Sequence, residues 1–100
     1  MIIPNKVKIG YKDYDVTLVD GKLVSSENEI CYGLIEYDKA SIKIAKENDI
    51  DQQKCALIHE CLHGIDNLFE TNLSEDQIRL ISKGLYDFIK TNPSIFKNEY

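Results

Sequence analysis

The first half of the chain alternates apolar and polar residues with the period of β-strands. Val7 and Ile9 alternate with lysines, and Val16 and Leu18 alternate with polar residues in the same way. Successive side chains of a strand point to opposite faces of a sheet, so this pattern predicts two half-buried strands. The sequence GYKD between them predicts that the two strands form a hairpin.

A second pair of strands is predicted further along the chain. Residues 20–29 are polar and rich in turn-forming residues, which indicates a loop. After this loop, residues 30–37 and residues 40–46 have strand-like patterns, and the isoleucines of the later segment face inward. We expect these two segments to form a hairpin that turns about Asp38 and Lys39.

The second half of the chain has the apolar spacing of helices. Residues 51–69 carry apolar side chains at positions i, i+3, i+4 and i+7, which predicts a helix with one buried face. That face is centred on Ile58, Leu62 and Ile65, and it extends to Cys61 and Phe69.

A second helix is predicted after a short turn. Ser74 can cap its N-terminus, and Gln77 three residues later completes a capping box. Asn92 precedes Pro93, and the residue before a proline is disfavoured in helical geometry, so the helix should end there. The predicted apolar stripe of this helix consists of Ile78, Ile81, Leu85, Phe88 and Ile89.

Together these elements predict an α+β fold, a small and mainly antiparallel sheet of N-terminal hairpins packed by two C-terminal helices. A chain of 100 residues can build one modest core and is too short for two. We therefore expect a single domain over residues 1–100.

The overall composition restricts the classes of partner. The net charge of −5 argues against nucleic acid, because phosphate binding needs a basic surface. No apolar run reaches the roughly 20 residues of a membrane span, and the start of the chain lacks the pattern of a signal peptide. The three cysteines are odd in number and lack a CxxC spacing, which favours reduced thiols. We expect a cytoplasmic protein.

The sequence ALIHECLHGID, residues 56–66, holds both histidines of the chain in an HExxH pattern. On a helix, His59 and His63 are separated by about 6 Å along the axis and point in nearly the same direction, so both can bind one metal ion. Their stripe is turned by about 100° or more from the apolar face predicted for this helix. The spacing therefore predicts a zinc site on a helix that is anchored by another side.

Glu60 follows the first histidine and is expected to lie beside the metal without binding it. Zinc at such a site activates a water molecule and polarises a carbonyl group. A carboxylate in the position of Glu60 can accept the proton of that water and return it to a leaving amine. Glu60 is therefore the predicted general base of a hydrolytic reaction.

A catalytic zinc site needs a third protein ligand, which must be a carboxylate or Cys55 because no histidine remains. Cys55 lies eight residues before His63, a rise of about 12 Å, which is too long for one straight helix. The same objection applies to Asp66, seven residues after His59. Asp66 is instead expected to accept the free N–H of a histidine, and Cys55 to pack near the site.

A carboxylate from the second helix closes the predicted site more easily. Glu75 lies at the border of the buried stripe of that helix, whereas Asp76 points about 100° further round, toward solvent. Glu75 is therefore our predicted third ligand, with Asp76, Glu70 and Asp66 as alternatives.

The sequences ALIHECLHGIDNLF and LSEDQIRLISKGLYDFI resemble the small minimal zincins encoded by phages and mobile elements, which are similar to the metallopeptidase domain of the ImmA/IrrE type. The resemblance covers about residues 30–92. It implies an α+β, gluzincin-like peptidase with His59 and His63 as zinc ligands and Glu60 as general base. It also implies a third acidic ligand early in the next helix, which matches Glu75.

The resemblance further implies an edge strand that lies along the cleft and pairs with an extended protein or peptide substrate. In this sequence that strand is expected at about residues 40–46. The predicted function is therefore a zinc-dependent metallopeptidase. The alternatives are a non-catalytic protein-interaction module braced by zinc and an interaction protein without metal.

Overall fold

Six short strands precede two long helices in the computed structural model, which describes residues 2–97. The strands are β1 (Lys6–Ile9), β2 (Lys12–Val19), β3 (Leu23–Val24), β4 (Ile30–Cys31), β5 (Gly33–Glu36) and β6 (Ser41–Ala45). The helices are α1 (Ile50–Phe69) and α2 (Glu75–Thr91), and a short 3₁₀ turn follows at Pro93–Phe96.

Four of the strands form a mixed sheet in the order β1-β2-β6-β5. The β1–β2 and β5–β6 pairs are antiparallel hairpins, as the sequence predicts. The parallel pairing of β2 with β6, in which Val16 lies opposite Ile42, joins the two hairpins and was not predicted. The α+β fold, with a small sheet followed by two C-terminal helices, is confirmed.

The prediction that residues 40–46 form the edge strand is wrong. These residues include β6, which is hydrogen-bonded to β2 on one side and to β5 on the other. Ile42 and Ile44 have no exposed surface, as expected for an interior strand. The edge beside the helices is β5, and residues 40–46 cannot pair with a substrate because both of their hydrogen-bonding sides are occupied.

The predicted loop at residues 20–29 contains part of a second, smaller sheet. Within it, β3 pairs with β4 in antiparallel register, with Leu23 opposite Cys31. The strand predicted over residues 30–37 is correspondingly divided into β4 and β5, with a break at Tyr32. This small hairpin stands beside the main sheet.

The hydrophobic core lies between one face of the main sheet and helix α1. Ala56 and Leu57 of α1 pack there against the buried isoleucines of the sheet. The approach is close at Gly64, where an added Cβ would lie 2.6 Å from Cδ1 of Ile9. Glycine at position 64 therefore allows the helix to lie directly on β1.

The prediction of which face of α1 packs against the core is wrong. Ile65 and Phe69 are exposed, at 37% and 60% of their surface. The wheel of α1 places Ile58 and Leu62 on the side opposite the sheet, where α2 packs. Helix α1 is thus covered on two sides, and its fully buried residues are Gln53, Ala56, Leu57, Glu60 and Gly64.

Helix α2 begins and ends as predicted. The capping box of Ser74 and Gln77 is formed in both directions, and Asn92 is the C-cap before Pro93. Its buried stripe is narrower than predicted, because Ile81 is 44% exposed and Phe88 is 47% exposed. Its fully buried positions are Ile78 and Ser82.

Neither α1 nor α2 has the length and apolar character needed to cross a bilayer, and the same holds for every helix within residues 2–97.

Candidate metal centre

The two histidines of the HExxH sequence lie side by side on α1. Their ring centroids are 5.0 Å apart, and their side chains are 22% and 23% exposed. Burial lowers the pKa of His59, which favours the neutral imidazole that binds metal ions. His59 and His63 therefore present partly buried rings on one side of the helix, as the spacing predicts.

Glu75 faces both histidines from the first position of α2. Its Oε1 atom lies 2.9 Å from Nε2 of His59, and its Oε2 atom lies 2.8 Å from Nε2 of His63. The Glu75 side chain is 64% exposed, so solvent reaches the group from the side of α2. The structure thus brings together the three residues predicted as metal ligands.

The alternative third ligands lie elsewhere. Asp76 is directed toward solvent, with 84% of its side chain exposed, and its carboxylate lies 3.6 Å from Arg79. Glu70 is the C-cap of α1 in a left-handed conformation. Within residues 2–97, the only group of His, Cys, Asp and Glu side chains arranged to hold a metal consists of His59, His63 and Glu75.

The predicted contact between Asp66 and a histidine is wrong. The Asp66 carboxylate accepts hydrogen bonds from the Thr71 hydroxyl at 2.6 Å and from the Leu73 backbone N–H at 2.8 Å. These bonds fix the loop that connects the two helices. The loop that Asp66 holds leads directly into α2, whose first residue is Glu75.

The donor set fits a zinc ion in chemistry and in spacing. Two imidazoles and one carboxylate are a common set at catalytic zinc sites, where a fourth position stays open. Ligand atoms about 2 Å from a tetrahedral ion lie about 3.3 Å from one another. The candidate ligand atoms of the three residues lie within 4.8 Å of one another, so small side-chain rotations suffice to bind an ion.

Glu60 lies on the sheet side of α1, next to the metal ligands. It is 7% exposed and packs against Gly33, where an added Cβ would lie 3.1 Å from Cγ and 3.2 Å from Oε2 of the glutamate. Burial, with a smaller contribution from the charge of Glu75, raises the pKa of Glu60 to about 7, and a backbone hydrogen bond from Ile35 partly opposes this rise. Glu60 is thus a carboxyl group that can exchange a proton near neutral pH.

A cleft of about 450 Å³ leads to this site, a volume in the range of ordinary ligand pockets. Helices α1 and α2 form one side, and the segment from Cys31 to Leu34, which includes the start of β5, forms another. The outer side of β5 has no strand partner among the described residues. The start of this edge strand, at Gly33 and Leu34, therefore lies along the cleft, although these residues are not the predicted ones.

The three cysteines do not belong to the group of candidate ligands. Cys31 and Cys55 line the cleft, so the predicted place of Cys55 near the site agrees with the structure. Burial raises the pKa of Cys61 to about 11, and the charge of Glu60 adds to this effect. The Cys61 thiol therefore stays protonated at neutral pH.

Two residues that help to build the site were missed in the sequence. Gly33 provides the space for Glu60, and the Tyr37 hydroxyl donates a hydrogen bond of 3.4 Å to the backbone carbonyl of His63. This bond ties the end of the β5 segment to the histidine helix. Both contacts join distant parts of the chain, and no local pattern marks these two residues as partners of α1.

Comparison of the chain with protein-family models, with curated proteins and with solved structures gave no match.

Proposed function

We propose that this protein is a zinc-dependent metallopeptidase of the minimal zincin type that cleaves an extended protein segment. The main support is the convergence of His59, His63 and Glu75 from two helices, next to a buried Glu60. A metal site with a neighbouring carboxylate and an adjoining cleft is the arrangement that hydrolysis of a peptide bond requires.

His59, His63 and Glu75 would hold the ion. Zinc bound there would polarise the scissile carbonyl group and make a water molecule more acidic. Glu60 accepts the proton of the attacking water and transfers it to the nitrogen of the leaving amine. Burial suits Glu60 to both steps, because a carboxylate with a raised pKa is a stronger base and its acid form still donates near neutral pH.

The substrate would bind along the free edge of β5 (Gly33–Glu36). The outward backbone groups of an edge strand can hydrogen-bond to an extended peptide, which extends the sheet by one strand. Gly33, at the start of this edge, contacts Glu60, so a peptide on β5 passes close to the general base.

The direct test is proteolysis of labelled casein by the zinc-loaded protein and by Glu60→Gln. We expect cleavage by the wild type and a loss of about a hundredfold or more in Glu60→Gln, in the range of general-base catalysis. Circular dichroism should show that the variant is folded, and Glu47→Gln, which changes an exposed glutamate, should cleave normally. Equal rates for wild type and Glu60→Gln, or no cleavage by either, would refute the proposal.

The second candidate function is a protein-interaction module braced by zinc. Two of the candidate ligands lie on α1 and one lies on α2. A bound ion would therefore also link the two helices, which favours this function. This function predicts that Glu60→Gln keeps the biological activity, whereas removal of zinc lowers the melting temperature and abolishes it.

A further inference from the structure

The α2 side of the cleft carries two basic side chains, although the chain as a whole is acidic. Arg79 and Lys83 line the cleft and follow Glu75 at intervals of four residues, so they form a row along one side of the helix. Among residues 2–97, the only other charged residues that line the cleft are Glu60 and Glu75. The two cations thus stand on the α2 side of the cleft in a chain whose net charge is −5.

The basic row begins at the metal centre and leads away from it. Glu75 is the candidate ligand on α2, and Arg79 follows it by one helical turn, about 6 Å along the axis. Burial raises the pKa of Cys55, and the positive charge of Lys83 opposes that rise. Lys83 lies one further turn along α2, so it is about 6 Å further from Glu75 along the helix axis than Arg79 is.

Both basic groups are available to a ligand. The Arg79 guanidinium lies 3.6 Å from Asp76, but the two side chains are 46% and 84% exposed, and ion pairs open to solvent are weak. Lys83 has no carboxylate within ion-pair distance among residues 2–97. A carboxylate that enters the cleft therefore meets Lys83, which has no carboxylate partner within residues 2–97, and Arg79, whose one ion pair is exposed to solvent.

Within residues 2–97, the cleft lining beyond the metal centre, Glu60 and the basic row is uncharged. The side opposite α2 is lined by Ser25, Cys31, Tyr32 and Leu34. A peptide that lies on β5 would thus have a neutral surface on one side and the row of Arg79 and Lys83 on the other. Electrostatic complementarity of this kind selects among ligands more strongly than it raises their affinity.

We propose that Arg79 and Lys83 select substrates with an acidic side chain about two residues from the scissile bond. The spacing of two residues follows from the helix, since Arg79 lies one turn, or about 6 Å, after Glu75, and this length corresponds to about two residues of an extended peptide. The inference rests on the proposed function for the identity of the substrate. To the proposed peptidase function it adds that one substrate side chain is acidic and that Arg79 and Lys83 recognise it.

The test measures binding without hydrolysis. Zinc-loaded Glu60→Gln protein is titrated against fluorescent peptide pools that carry a central Glu or a central Gln, uncharged residues elsewhere and an amidated C-terminus. We expect about fivefold tighter binding of the Glu pool, the effect of one or two exposed charge pairs, and a smaller preference at high salt. In the same background, Arg79→Gln combined with Lys83→Gln should remove the preference.

Lys8→Gln is the matched control, because Lys8 is an exposed lysine of β1, at the sheet edge opposite β5. It should leave the preference unchanged. Equal affinity for the two pools, a preference that survives the double substitution, or no binding of either pool would overturn the proposal. A Gln pool with a free C-terminus shows whether the cleft recognises a terminal carboxylate rather than a glutamate side chain. Tighter binding of that pool alone would also overturn the proposal.

The outcome is independent of the cleavage test. If the Glu pool is preferred and casein is not cleaved, the cleft binds acidic peptides and the peptidase proposal fails. If casein is cleaved in a Glu60-dependent manner and the pools bind equally, the peptidase proposal stands and the basic row does not select the substrate.

Discussion

The Glu60 side chain fits against Gly33 because position 33 carries no Cβ. A methyl group there would lie 3.1 Å from Cγ and 3.2 Å from Oε2 of Glu60. The glycine of the edge strand thus determines where the general base of the proposed reaction can lie.

Gly33→Ala should therefore reduce peptidase activity while the fold is kept. The added methyl group is too close to the carboxylate and must displace it by a few tenths of an ångström. Misplacement of a catalytic group by about 1 Å can cost a hundredfold, so we expect a loss of about tenfold in kcat/KM. The measurement is the steady-state cleavage rate of the zinc-loaded protein.

Gly84→Ala is the control for this substitution. Gly84 lies in α2, and an added Cβ there meets no atom within 4 Å. Alanine is the better helix former, so this variant should be about 0.5–1 kcal/mol more stable and fully active. Equal activity of the Gly33 and Gly84 variants would argue against a role for position 33.

Glu75→Ala should weaken zinc binding strongly. The substitution removes the one candidate ligand that α2 supplies. Loss of an outer partner of a metal ligand already costs 10–100-fold in affinity, so loss of a ligand should cost about a hundredfold or more. Competition with a chromogenic chelator measures the affinity, and Asp76→Ala, one residue further along, should bind zinc like the wild type.

Asp66→Ala should lower both the melting temperature and the zinc affinity. Without the Asp66 carboxylate, Thr71 and Leu73 lose the acceptor that holds the loop between the helices. The start of α2 then becomes less fixed, and we expect zinc affinity to fall about tenfold. Asp87→Ala, an exposed aspartate of α2, is the control. A normal affinity in Asp66→Ala would show that the loop does not position Glu75.

The stability of the metal-free protein should depend on pH through Glu60. Its pKa is raised from 4.5 to about 7 in the folded state, chiefly by burial, so the folded protein binds this proton more tightly than the unfolded chain. The contribution of protonated Glu60 to the free energy of unfolding is fully present below pH 4.5 and is lost as the pH rises to about 7.

Glu60→Gln removes this dependence and should gain up to about 3 kcal/mol relative to wild type between these pH values. Urea unfolding with a chelator present measures the difference between the two proteins. Effects of His59 cancel in this difference because both proteins contain it. A difference that stays constant with pH would contradict the proposed burial of an ionisable Glu60.

The site could be predicted from the sequence to a large extent because its parts are local. Helical spacing brings His59 and His63 together within one turn, and the capping box at Ser74 defines where α2 begins. Together with the position of Glu75 at the border of the buried stripe of α2, these two facts select Glu75 over Asp76. Metal binding and catalysis themselves remain predictions.

The order of the strands could not be predicted, because alternation identifies a strand and does not identify its neighbours. The β2–β6 pair joins residues far apart in sequence, such as Val16 and Ile42. The face of α1 was misassigned for a different reason. Its sheet side includes Gln53, Glu60 and Gly64, which weaken the apolar signal of the side that is in fact most buried.

The parallel pairing of β2 with β6 also divides the protein into a core sheet and a segment between its strands that can accept changes in sequence. It fixes both ends of residues 20–40, the segment that carries the β3–β4 hairpin and β5. The tip of that hairpin is held by its own bonds, since the Ser25 hydroxyl accepts the N–H groups of Glu27 and Glu29. Insertions or exchanges at this tip would therefore reshape the rim of the cleft, to which Ser25 belongs, while the β2–β6 pair at the base of the segment is kept.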